Sequence, residues 1–410
     1  MSRTLGSLTS AALVLETLSL RASSDAALPS NLFENRTPAL RHLSITGMRL
    51  HWDSFSFRNL HSLTVRMVSP WPLPIGMNGP QTLGGGPTHE RLLSILAQMP
   101  ALRSLSLLNC LPYHTEHLPD DHSIVELRDL HHLSLGGSGL QCLNVMQSLS
   151  FSDSCTLSIE ASKLDSETDI FDSILAHIAK HLRRIHGLDP IETLCLDITT
   201  LEPKLTVSCY RTAHMQDGLP HYPPPDDAGY PPPALQLRLW WQHRQPNQAA
   251  LFHELIHRVF DVLPFEELCL LSLPIVDSAW TEDDWCTVVG PLATLEHVRA
   301  KGRGAIMLTH ALLDHVPAED LDAPLFLPRL ASLTFDNVNF RACPNPESPN
   351  EGFFSFLPRV LAQRRALGSG LRTLVLYECN VRPGWVARLR EVVPSVERDR
   401  CDDWGELEEF

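Results

Sequence analysis

Along this chain an aliphatic or aromatic apolar residue is followed three and five positions later by two more, and the triplet recurs from end to end. Copies stand at Leu15-Leu18-Leu20, Leu40-Leu43-Ile45, Leu60-Leu63-Val65, Leu102-Leu105-Leu107, Leu130-Leu133-Leu135, Ile191-Leu194-Leu196, Phe265-Leu268-Leu270, Leu330-Leu333-Phe335 and Leu371-Leu374-Leu376, with weaker ones at Leu157-Ile159, Leu235-Leu237 and Leu295-Val298. The last two residues of each triplet are two apart, so on a strand both point to one face and the residue between them to the other. Each copy therefore predicts one short, half-buried strand. Between copies the apolar spacing turns helical, as at Leu92, Leu93, Leu96 and Met99, at Ile170, Ile174, Leu175, Ile178 and Leu182, and at Phe353, Phe356, Leu357, Val360 and Leu361. Strand then helix, repeated, predicts an α/β chain with a parallel sheet and helices outside it.

The triplet is the core of a leucine-rich repeat. One unit cannot cover its own apolar side, so the expected architecture is an irregular solenoid whose stacked units line a concave face with the sheet. The spacing between copies is wider and less regular than in uniform repeats, which implies inserted loops. The clearest insertion is the proline-rich segment 211–233, where His221-Tyr222-Pro223-Pro224-Pro225 and Tyr230-Pro231-Pro232-Pro233 favour extended backbone. It divides N-terminal repeats over 1–210 from C-terminal repeats over 234–400 of the same solenoid. Met67 to Pro87, with Gly84-Gly85-Gly86, reads as a second insertion, and 401–410 as a solvated acidic tail.

Composition narrows the function. A formal charge of −15 opposes nucleic-acid binding, which needs a basic surface to release counterions. No apolar run is long enough to cross a bilayer, and Glu16 interrupts the apolar start that a signal peptide would need. The ten cysteines fall singly, without a C-x-x-C pair, and read as reduced, mostly buried thiols. The expected location is therefore cytoplasmic or nuclear.

Three stretches give the chain a family likeness: Asp277 to Ala300, with Trp280-Thr281-Glu282-Asp283-Asp284-Trp285 leading into Leu292-Ala293-Thr294-Leu295; Leu327 to Phe340; and Arg364 to Cys379. With Leu28 to Gly47 they make it resemble the repeat region of the fungal F-box/leucine-rich-repeat family. The resemblance implies a protein-binding role, the repeats holding a target for a cullin-based ubiquitin ligase. The sequence departs from that family because a repeat strand begins by Leu15, leaving no room upstream for an F-box; the segment Glu254 to Leu263 matches the opening of one only loosely.

One enzymatic motif stands out, His253-Glu254-Leu255-Ile256-His257. Two histidines four apart share a helical face and could grip zinc, with the glutamate activating a bound water, so a zinc-dependent hydrolase is the alternative function. Against it, Phe260 and Leu263 replace the Gly and His of the extended motif, and Arg258 puts a positive charge alongside. The glutamate that could complete a shorter site is Glu282, and Phe252, Leu255, Ile256, Val259 and Leu263 form a coherent buried stripe. Gly84-Gly85-Gly86 lacks the lysine of a phosphate loop, and His131 and His132, adjacent on a strand, face opposite ways. The expectation is a binding protein, not an enzyme, with no cofactor and no metal. Its working surface should be the outward strand positions Ser44, Thr64, Ser106, Ser134, Cys195, Cys269, Thr334 and Val375, flanked by Arg66, Asp197, Asp336 and Tyr377 as protein-binding residues.

Overall fold

A computed structural model describes residues 10–55, 57–67, 86–113, 123–162, 168–183, 189–199, 204–213, 215–216, 219–220, 232–241, 248–273, 280–314, 325–342 and 352–399. Most of the proline-rich insertion, most of 67–87 and all of the acidic tail lie outside them. The fold is α/β, with large, mostly parallel sheet structure and helices outside. In chain order the ladder strands and helices are β1 (Thr17–Ala27), β2 (His42–Arg49), β3 (Ser62–Arg66), α1 (His89–Leu96), β4 (Ser104–Leu108), β5 (His132–Ser138), α2 (Gly139–Gln147), β6 (Thr156–Ser162), α3 (Thr168–Arg183), β7 (Thr193–Thr199) and β8 (Lys204–Tyr210). They continue with β9 (Leu235–Trp240), α4 (Gln248–Val262), β10 (Leu270–Leu273), β11 (His297–Lys301), α5 (Gly302–Asp314), β12 (Ser332–Asp336), α6 (Phe353–Ala366), β13 (Thr373–Tyr377), α7 (Pro383–Val392) and β14 (Ser395–Arg398).

The chain forms two compact units. The first comprises Met1–Leu188 with Pro233–His243, the second Asp189–Pro232 with Arg244–Phe410. In the first, the strands run β1-β2-β3-β4-β5-β6-β9, all parallel. In the second they run β8-β7-β10-β11-β12-β13-β14, parallel except for the β7–β8 hairpin.

Register explains why the triplets stack. Leu43, Leu63, Leu105, Leu133, Leu157 and Leu235 are successive partners, as are Ile45, Val65, Leu107, Leu135, Ile159 and Leu237. All twelve are at most 1% exposed, so each strand adds two aliphatic side chains to one continuous core, each worth about 1.5–3 kcal/mol of burial. The backbone repeats as faithfully. At strand starts, two consecutive N–H groups donate to one carbonyl of the preceding strand's lead-in: Arg41 and His42 to Glu16, His61 and Ser62 to Arg41, Arg103 and Ser104 to His61, and His131 and His132 to Arg103. In the second unit Cys269 and Leu270 donate to Glu192, Glu296 and His297 to Cys269, Ala331 and Ser332 to Glu296, and Arg372 and Thr373 to Ala331. Every backbone group so used is one that an unpaired strand end would leave unsatisfied.

This pattern corrects one triplet. Cys269 occupies the lead-in position of Glu192 and Glu296, so the motif in β10 is Leu268-Leu271-Leu273, three residues later than the spacing alone suggests. Leu271 pairs with Leu194 and Val298. Four leucines, Leu268, Leu270, Leu271 and Leu273, crowd into six positions with Cys269 and Ser272 between them, and such a run fits either frame. The outward residue of β10 is consequently Ser272, not Cys269. Two of these ladder strands had no triplet to announce them, β8, which turns back antiparallel on β7, and β14, with Val396 as its one buried residue.

The predicted helices form where their spacing placed them. Thr88 caps α1, its hydroxyl accepting from the Arg91 N–H, and Ser138 and Gln141 close a reciprocal capping box on α2. Phe353, Phe356, Leu357, Val360 and Leu361 are the buried face of α6.

Candidate functional site

On the outward face of the second unit, the residues between the core aliphatics line up in two rows. One row runs Cys195, Ser272, Arg299, Thr334, Val375 and Glu397 across β7, β10, β11, β12, β13 and β14. The next runs Lys301, Asp336 and Tyr377. Diagonal neighbours on one face are within reach of long side chains, and here they meet. The Arg299 guanidinium donates to Asp336 Oδ2 at 2.5 Å and lies 5.8 Å from the Tyr377 ring centroid, and Lys301 Nζ stands 4.0 Å from Asp336 Oδ1.

Burial sorts their roles. Asp336 is 3% exposed and its Oδ1 accepts no hydrogen bond among the described residues, while Tyr377 is 44% exposed. A fixed, desolvated carboxylate thus holds two cations beside an open aromatic face. In this unit the outward Ser272 and Thr334 are buried, because short side chains between longer neighbours present little area of their own, while Cys195 and Val375 keep intermediate exposure. What this face offers to a partner is therefore Arg299, Lys301 and Tyr377 more than the Ser/Thr ladder. Cys195, in the same row, has its thiol pushed up to about 12 by burial, against the opposing pull of the Arg299 charge, a setting that disfavours the thiolate.

Of the four residues singled out by sequence, Asp336 and Tyr377 are register partners in this cluster. Asp197 is half-buried at the same position of β7, opposite Thr206 of the hairpin. Arg66 belongs to the first unit, exposed at the end of β3. Its row continues through Leu108, Gly136, Glu160 and Arg238, the last two joined by a 2.7 Å ion pair. Arg299, Lys301, Glu160 and Arg238 were not among the sequence candidates. Arg299 and Lys301 alternate with Val298 and Ala300, and a small Ala300 in the second core position hides that repeat from a search for bulky aliphatics.

The histidine motif occupies α4, and its third partner is not Glu282 but Asp284. His253 Nε2 and His257 Nε2 lie 2.7 and 3.1 Å from the same oxygen, Asp284 Oδ1, with the two imidazole centroids 4.4 Å apart. The other carboxylate oxygen accepts from Thr281 N–H at 2.6 Å and from the Thr281 hydroxyl at 2.7 Å, in a capping box that opens the turn Glu282–Asp284. Burial pushes the Asp284 carboxyl up, but the two Thr281 hydrogen bonds and His253 outweigh it and hold the group below its ordinary value. Trp280, buried, packs against both imidazoles at 5.8 and 5.7 Å. The signal that could have located Asp284 is the capping pattern itself, Thr281 followed three positions later by an acid.

No protein-family model matches the chain, and no curated protein matches it either.

Proposed function

We propose that this chain is a leucine-rich-repeat recognition protein, a solenoid that binds a protein partner through the outward strand face of its second unit. The observation that carries the reading is the Arg299–Asp336–Tyr377 cluster with Lys301. Arginine and tyrosine are the residue types over-represented where binding energy concentrates, and here a buried carboxylate fixes the arginine before any partner arrives. Less side-chain freedom then remains to be lost on association. The in-register core triplets and the repeated two-N–H-to-one-carbonyl hydrogen bonds support the repeat assignment. The partner is a protein with an acidic or carbonyl-rich contact surface, suited to two cations and a tyrosine face. The resemblance to F-box proteins adds the proposal that this partner is a substrate for a cullin-based ubiquitin ligase.

The test is quantitative affinity purification of the tagged full chain, comparing Tyr377→Ala and Arg299→Ala with wild type and with Gln363→Ala on the exposed side of α6. Proteins lost from both cluster variants but retained by the α6 variant are the expected result. A partner set unchanged by either cluster variant would refute the site, and ligase adaptor or cullin among the lost proteins would bear out the ligase role.

A further inference from the structure

The geometry points to a second site, on a different surface and independent of the strand-face reading: we propose that His253, His257 and Asp284 bind one divalent transition-metal ion of the zinc class. Three donor atoms, two imidazole nitrogens and one carboxylate oxygen, all lie within 4.8 Å of one another. This is the mixed nitrogen and oxygen set that suits zinc and its borderline neighbours, and it leaves a fourth position for water.

Sequence and fold converge on it from two sides. The i,i+4 spacing puts both imidazoles on one face of α4, and the capping box at Thr281 turns Asp284 toward them. Thr281 occupies Oδ2 with two hydrogen bonds and so leaves Oδ1 for the ion, the outer support that ligating carboxylates generally have. Trp280 walls one side. The imidazole side chains are 32% and 29% exposed and the Asp284 side chain 11%, open enough for an ion to enter and dry enough to hold it.

The dimensions fit after a small adjustment. Zinc at about 2.0–2.2 Å from each donor in tetrahedral geometry sets neighbouring donors roughly 3.3–3.5 Å apart. The Nε2 to Oδ1 separations of 2.7 and 3.1 Å therefore open by about 0.6–0.8 and 0.2–0.4 Å, and the donor atoms, all within 4.8 Å of one another, come to that spacing through small χ rotations. Without the ion, Oδ1 is shared by two imidazole N–H groups. On binding, each imidazole gives up its Nε2 proton to solvent and takes one up at Nδ1, a tautomer exchange with no net proton release, and the Nε2 lone pairs replace the two hydrogen bonds to Oδ1 with bonds to the metal.

The arrangement argues for a site that ties α4 to the 281–284 turn rather than for hydrolysis. Glu254, the residue that would activate a bound water, is 2.6 Å from Arg258 along the same helix and half exposed, held by a cation instead of facing the third ligand.

The experiment uses the full chain with any affinity tag removed, dialysed against zinc sulfate and then against metal-free buffer, with zinc counted by mass spectrometry. Stoichiometric zinc in wild type, and its loss in His253→Asn, His257→Asn and Asp284→Asn, is the expected result. Thr281→Val keeps all three ligands and should weaken binding about 10- to 100-fold. Cobalt substitution supplies a readout that a merely structural role would not move: wild type should show the intense visible bands of a tetrahedral nitrogen and oxygen site. Zinc retained equally by wild type and the ligand variants would assign it to other histidines and overturn the proposal, as would wild type that binds none. Should the variants fail to fold, the cobalt spectrum of wild type decides alone, and absence of tetrahedral bands ends the idea.

Discussion

Replacing Asp336 separates what the strand-face cluster contributes to folding from what it contributes to recognition. Its side chain is 5% exposed and that of Arg299 26%, so the pair lies between two regimes. Exposed ion pairs are worth about 0–1 kcal/mol, whereas removing one partner of a fully buried pair costs about 3–5 kcal/mol because the other charge is stranded. Arg299 keeps partial access to water, so Asp336→Ala should destabilise by about 2–3 kcal/mol. Asp336→Asn, whose amide oxygen still accepts from Arg299, should cost about 1–2 kcal/mol. Replacing both, as Arg299→Met with Asp336→Leu, removes the stranded charge and should cost no more than about 1 kcal/mol, a coupling of about 2 kcal/mol in a double-mutant cycle closed by Arg299→Met and Asp336→Leu measured singly. Urea unfolding of the full chain provides the free energies, and hydrogen exchange on peptides spanning β11 to β13 shows that the loss is local. If Asp336→Ala lies within about 0.5 kcal/mol of wild type, or the double variant is as unstable as the two singles summed, the carboxylate does not hold these cations in a desolvated setting, and the preorganised site falls with it.

The register of β10 has its own test. Leu271→Ala should cost about 2–5 kcal/mol as a core truncation, while Cys269→Ser, at a half-exposed lead-in position, should stay within about 0.5 kcal/mol; equal, small effects would restore the earlier frame. Acid sensitivity follows from His132 and His297, both held below the ordinary 6.5 chiefly by burial. A histidine with a lowered folded pKa binds fewer protons than the unfolded chain, so its stabilisation is complete above pH 6.5 and is lost as pH falls toward its folded value. Denaturation midpoints should therefore drop as pH falls below about 6.5, and a His132→Gln, His297→Gln variant should flatten that slope; a slope unchanged by the double substitution would refute the assignment.

Much of the strand order was legible because a leucine-rich triplet encodes both a strand and its face. Leu43, Leu63, Leu105 and Leu133 announce themselves at one spacing, and register then follows from the shared need to bury them. Legibility failed where that code is degenerate. Around Leu268 to Leu273 too many apolar residues satisfy the pattern, and at Val298-Arg299-Ala300 too few do. The strand-face cluster was half visible: Asp336 and Tyr377 flank clear triplets, while Arg299 and Lys301 sit in the weak one. The metal-capable cluster was visible on α4 alone, since only folding brings a residue 27 positions from His257 against it, and an acid at that distance has no period to reveal it.

The interleaved make-up of the two units bears on how the chain must be synthesised. β9 completes the first unit's sheet beside β6, yet the β7–β8 hairpin, which belongs to the second unit, is encoded between them. A ribosome therefore releases the opening strand pair of the second unit before it has delivered the last strand of the first. Until Trp240 emerges, the Leu157 and Ile159 strand has an open edge, and a chain cut anywhere between Asp189 and Pro232 would keep that edge for good. Neither unit can be obtained as one uninterrupted stretch of coding sequence, and expression of either alone calls for rejoining its two segments.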